Sequence, residues 1–182
     1  MGRPGSGKGT QAELLAQKID ARIISLGKEF RELVANGSHL GVRLKESLEA
    51  GHLAPTWLAD YVCKKELLFL EPEEQVVFDS GCRIKSEAVL FHDIHDWFER
   101  TYQVIYIDVS EEEIVRRIHV RRGLEGRADD AHSSIHKRVE EFENKTMLSI
   151  EYFESIGKLA RVSGEGSPED VHAAILKTIN LA

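Results

Sequence analysis

The sequence predicts a single α/β domain, a parallel sheet covered by helices on both faces. Three observations predict it: short β-branched runs alternate with longer amphipathic segments, helix-start signals punctuate the alternation, and a glycine-rich segment opens the first helix. The strand runs are Ala21–Ser25, Gln75–Asp79, Gln103–Asp108 and Leu159–Ser163. Helical patterns fill the gaps, near 9–19, 28–36, 39–50, 56–69, 84–99, 111–122, 133–156 and 168–181. Ser110 with Glu113 reads as a capping box, and Ser167-Pro168-Glu169-Asp170 supplies a cap, a first-turn proline and acids. Strands separated by helices need right-handed crossovers, which make the sheet parallel. No repeat, linker or low-complexity tract divides the 182 residues, so one domain spans 1–182.

Composition excludes several classes. The net charge of −7 leaves no broad basic face for nucleic acid. No apolar run approaches the roughly 18 residues of a membrane span, and no signal-peptide pattern is present. Cys63 and Cys82 are far apart with no CxxC spacing, which argues for a reducing cytoplasm and against a cysteine zinc site. The eight histidines show no ligand spacing with carboxylates; His132 and His136 read as helix-surface residues.

The chemistry begins at the N-terminus. Gly2-Arg3-Pro4-Gly5-Ser6-Gly7-Lys8-Gly9-Thr10 fits a phosphate-binding loop. Glycines let the backbone reach positive φ, so successive N–H groups form an anion-binding nest at a helix N-terminus. Lys8 is placed to reach the β- and γ-phosphates of a nucleoside triphosphate. Gly9 stands where the general pattern has Ser or Thr, and Thr10 can supply the hydroxyl to a Mg²⁺ shell one position later. Such a loop ordinarily follows a buried strand, yet only Met1 stands before Gly2. The expectation is that the natural chain starts earlier and that Met1 ends an apolar strand; the other reading is a sheet with one member fewer.

The loop and five further segments resemble the adenylate kinase family of nucleoside monophosphate kinases. Leu48-Glu49-Ala50-Gly51-His52-Leu53-Ala54-Pro55 is similar to its DAGxLVP segment, and Asp79-Ser80-Gly81-Cys82-Arg83 lies where the family has DGFPR. Arg117–Arg122 is similar to RxxGR, Gly126-Arg127-Ala128-Asp129-Asp130 with Lys137-Arg138 to GRxDD…KR, and Val162–Gly166 to the closing V-D-G turn. The resemblance implies a P-loop NTPase three-layer sandwich with a monophosphate-binding insertion at about 26–55 and a short, cysteine-free lid at about 122–131. It implies transfer of the γ-phosphoryl group of ATP to AMP, with Mg²⁺ and without zinc, in a cytoplasmic monomer.

The resemblance also implies residue roles. Gly5, Ser6, Gly7, Lys8, Gly9, Thr10, Arg117, Arg121 and Gly166 would bind ATP, with Arg117 against the base and Arg121 on the phosphates. Leu26, Arg31, Leu53, Ala54, Ser80, Arg83 and Glu87 would line the acceptor site. Lys8, Arg83, Arg121, Arg127 and Arg138 would carry the transfer, and Thr10 and Asp79 would hold Mg²⁺, mainly through water. Arginine suits such work because its planar fork binds phosphate oxygens in pairs and stays charged. Asp129 and Asp130 would pair with arginines or start a helix, and Gly123 and Gly126 would let the lid move.

Four departures fall on the acceptor side. Leu26 replaces a threonine, Lys28 an aspartate, Ser80-Gly81-Cys82 replaces Gly-Phe-Pro, and Glu87 replaces a glutamine that reads adenine. A carboxylate only accepts hydrogen bonds, so it suits an exocyclic amine or the paired N–H donors of guanine. The alternatives are therefore a kinase for GMP, CMP or UMP, or a weakly catalytic nucleotide-binding protein.

Overall fold

The computed structural model describes residues 1–125 and 132–181, with side chains placed for 1–118 and 136–181. Helix α1 (Lys8–Ile19) leaves the glycine-rich loop at Gly7 and stops at Asp20, whose left-handed backbone (φ 52°) returns its N–H to the Ala16 carbonyl. Strand β1 (Arg22–Ser25) leads through α2 (Leu26–Ala35), α3 (His39–Glu49) and α4 (Thr56–Leu67) to β2 (Val76–Asp79). Helix α5 (Lys85–Trp97), strand β3 (Val104–Asp108), α6 (Glu111–Glu125), α7 (His132–Glu141) and α8 (Met147–Ser155) precede β4 (Leu159–Ser163) and α9 (Pro168–Thr178). The cap expected at Ser167 forms, and as a full capping box: its side chain accepts from the Asp170 N–H and Asp170 returns to the Ser167 backbone.

The expected helix over 133–156 is interrupted by a π turn at Phe142–Thr146. Phe142 and Ile150 pack together with Tyr106 in one buried cluster. Eight residues apart, they would point about 80° away from each other on an unbroken α-helix. One extra residue taken up in a π turn offsets about that rotation and brings both to the core side.

The strands are parallel, in two pairs. Arg22 to Ser25 align with Val76 to Asp79, and Val104 to Asp108 with Leu159 to Ser163. One core joins β1 and β2 to α4, α5 and α8 through Ile24, Val62, Phe91 and Phe153. A second joins β3 and β4 to α6 and α9 through Ile107, Ile114, Ile118, Val162 and Ile175. The helices thus cover both faces, as alternation predicts.

The two pairs do not meet. Met1 alone sits against the free edge of β3: its amine donates to the Ile105 carbonyl and its carbonyl accepts from the Ile107 N–H at 2.9 Å, a single parallel bridge. A cavity of about 1650 Å³ runs from the loop into the gap and is lined by Met1, Val77, Phe78, Val104 and Ile105. All four residues of β2 are only half-buried, whereas a central strand of a covered parallel sheet is ordinarily buried on both faces. Burial holds the Met1 amine down at about 5, with nearby Lys8 adding to the effect.

Joining four or five extended apolar residues ahead of Met1 should fill this gap. We expect the melting temperature to rise by about 5 °C or more, and a charged extension of equal length to give no rise.

Candidate functional site

Gly5 (φ 83°) and Gly7 (φ 85°) hold the loop in left-handed backbone that side chains disfavour. Space reinforces the requirement at Gly5, where a Cβ would lie 2.9 Å from Ile118 Cγ1. The Ser6 N–H closes the turn on the Arg3 carbonyl at 3.1 Å, and α1 starts immediately after. The Ser6 hydroxyl is buried with no hydrogen-bond partner among the described residues; it lies against Gly2, where a Cβ would be 2.5 Å from it, and Ser6 does not line the cleft. No side chain caps the helix N-terminus, so its dipole and N–H groups face the cleft. These features fit a bound polyphosphate. Lys8 crosses the loop, with Nζ 3.3 Å from the Arg3 carbonyl oxygen.

The cleft beyond the loop gathers residues remote in sequence. Gly5, Gly7, Lys8, Gly9 and Thr10 line it. Leu26, Arg31, Leu53 and Ala54 line it too, as do Asp79, Ser80, Arg83 and Glu87. Arg117 and Arg138 also border it. Arg117 lies beside the loop: a Cβ on Gly7 would lie 4.0 Å from its Nη1. It donates to Glu113 at 2.6 Å and to the Gly164 carbonyl at 2.7 Å, which ties α6 to the turn after β4. Hydrogen bonds from Arg116 and then Arg117 pull the Glu113 carboxyl down to about 2. Glu113 therefore forms half of the expected capping box, with its N–H 3.4 Å from the Ser110 hydroxyl and its carboxylate turned to the arginines. Gly166 stands apart, against Asp170 at the start of α9.

Arg31, expected to line the acceptor site, lies close to the turn after β2. A Cβ on Gly27 would be 3.4 Å from Arg31 Nη1 and 3.8 Å from Ser80 Cβ. Asp79 ends β2 and accepts from the Ser25 hydroxyl at 3.3 Å. Thr10 is exposed one turn into α1. Both oxygens belong to the hard type that Mg²⁺ takes, directly or through water. Leu26 is 2 % exposed and belongs to the core, so the position that a threonine would hold has become packing. Glu87 lies in the first turn of α5, where its Oε2 accepts from the Arg83 N–H at 2.7 Å. Its burial raises the carboxyl pKa, and the contact with Arg83 opposes that shift.

Three contacts were not anticipated. Thr146 and Ser149 donate to the carbonyls of Arg83 and Cys82, and His52 Nδ1 lies 3.5 Å from Glu141. The signal for the first two was present: a threonine and a serine on the same face as Phe142, Ile150 and Phe153. The backbone of Arg121 lies in α6, while its side chain and Arg127, Asp129 and Asp130 fall outside the described residues, as does most of the expected lid. Among the described residues, no group of three His, Cys, Asp or Glu is placed to hold a metal ion, and no helix is long and apolar enough to cross a membrane.

A left-handed glycine loop opening a helix beside parallel strands is the architecture of a P-loop NTPase. The family model described as adenylate kinase matches residues 1–158. An adenylate kinase of Thermus thermophilus is 37% identical over 182 residues, covering all of this chain and 95% of that relative. One from Chlamydia abortus is 34% identical over 96% of this chain and 93% of its own length. Adenylate kinase isoenzyme 1 of Caenorhabditis elegans is 32% identical over all of this chain and 86% of its own length. The chain belongs to the adenylate kinase family.

The two kinds of glycine separate cleanly in a test. Gly5→Ala should lose roughly 1–2 kcal/mol of stability, read by denaturation, because φ and Ile118 both oppose a Cβ. Gly9→Ala, with nothing within 4 Å of its Cβ, should leave stability unchanged or slightly raised.

Proposed function

We propose that this chain is a phosphotransferase that moves the γ-phosphoryl group of ATP to a nucleoside monophosphate, with AMP as the first candidate. The observation that carries the reading is one cleft bordered by the phosphate loop and by Arg31, Arg83, Arg117 and Arg138. Phosphoryl transfer asks for alignment of two polyanions, exclusion of water and neutralised charge, and little covalent chemistry. ATP would lie with its polyphosphate on the N–H groups of the loop and on Lys8, and its base toward Arg117. Arg31 and Arg83 would grip the acceptor phosphate, while Arg138, with Arg121 and Arg127 as the resemblance implies, would meet the transferring group. Mg²⁺, held near Thr10 and Asp79, supplies charge neutralisation at the phosphates. The segment at about 26–55 is the acceptor-binding insertion in this reading. The four acceptor-side departures leave GMP, CMP and UMP as alternative acceptors without altering the transfer chemistry.

A panel of AMP, GMP, CMP and UMP with ATP and Mg²⁺ tests this directly: transfer to at least one, AMP first, is expected, and none across the panel contradicts it. Lys8→Ala or Arg121→Ala should lower kcat by about 10³ or more, since each removes charge from the transition state; a change under tenfold would remove the assigned role. Glu87→Gln should shift acceptor preference toward AMP and leave the ATP KM within about twofold. An equal effect on both substrates would place Glu87 outside acceptor selection.

A further inference from the structure

The turn that delivers Arg83 is unusual. Ser80 (φ 65°) and Cys82 (φ 56°) both adopt left-handed backbone, which side chains other than glycine rarely hold. Between them, Gly81 is pressed onto Phe78, where a Cβ would be 2.0 Å from Cε1. Such a turn persists only when its surroundings over-determine it.

The surroundings are two hydroxyls from a distant part of the chain. The Ser149 hydroxyl, 0 % exposed, donates to the Cys82 carbonyl at 2.6 Å. The Thr146 hydroxyl, 6 % exposed, donates to the Arg83 carbonyl at 3.0 Å. They lie three residues apart at the junction of the π turn and α8, hence on one helix face. The same helical run carries Arg138 on α7, and Arg138, Thr146 and Arg83 all line the cleft. Without the π turn, α8 would be rotated about 100° relative to α7, and the two hydroxyls would leave the turn.

We propose that Thr146 and Ser149 are positioning residues for the acceptor arginine. By holding the carbonyls of Cys82 and Arg83 they fix the left-handed turn, and they set Arg83 in register with Arg138 across the π turn. A serine and a cysteine at 80 and 82 make the turn flexible in isolation, and these two hydrogen bonds supply the rigidity. The inference rests on the reading that Arg83 binds the acceptor phosphate.

The test compares Ser149→Ala, Thr146→Val and Thr146→Ser in kinetics, in calorimetric binding of AMP, and in hydrogen exchange at the Arg83 amide. Ser149→Ala and Thr146→Val should each raise the acceptor KM and the AMP Kd about tenfold, leave the ATP KM within about twofold, and speed exchange at Arg83. Thr146→Ser, which keeps the donor, should restore all three. Melting curves identify any variant that fails to fold, and then the pair Ser149→Ala and Thr146→Ser decides. Unchanged AMP affinity in folded Ser149→Ala or Thr146→Val, or equal losses for ATP and AMP, overturns the inference. Absence of transfer in the unsubstituted protein would sink the phosphotransfer reading, while AMP binding and Arg83 exchange would still judge the positioning role.

Discussion

A chain of net charge −7 has brought Lys8, Arg31, Arg83, Arg117 and Arg138 to the border of one cleft. Like charges at that density repel, and each needs a carboxylate, a carbonyl or an incoming anion nearby. Glu113 answers Arg117, and the Arg3 carbonyl answers Lys8. Much of the remaining architecture can be understood as the scaffold that holds this cationic wall open to a ligand. Carboxylates share the lining, Asp79 and Glu87 among them, and the loop contributes backbone dipoles in place of further charge.

The scaffold has a firm side and a yielding one. Parallel β3 and β4, with α6 and α9, bury Ile114 and Ile118 almost completely and aim the loop and Arg117 together. The acceptor side depends on longer connections. Its turn after β2 is held by Ser149, Thr146 and Glu87, which arrive from two helices. Met1, hydrogen-bonded to β3 at Ile105 and Ile107, also packs against the cluster that carries β1 and β2.

Local features of the sequence were legible because their causes are local. Alternation of β-branched and amphipathic runs gave four strands in the right order, Ser167 announced its helix cap, and the glycine spacing located the loop. What escaped depends on contacts between remote residues. The π turn at Phe142–Thr146 satisfies Tyr106 packing and the Arg83 carbonyl at once, and no window of sequence contains both demands. Glu87 illustrates the same limit: the family resemblance suggested a base-reading carboxylate, while its place in the first turn of α5 also makes it a natural acceptor for the Arg83 N–H. Leu26 read as a lost polar contact and is a core residue.

The central claim is that one cleft holds two nucleotides side by side. Calorimetric titration of AMP into protein already saturated with a non-hydrolysable ATP analogue tests it most directly. AMP should bind one to one without displacing the analogue, and the analogue should bind one to one when the order is reversed. Displacement of either nucleotide by the other would reduce the cleft to a single site and contradict a two-nucleotide cleft.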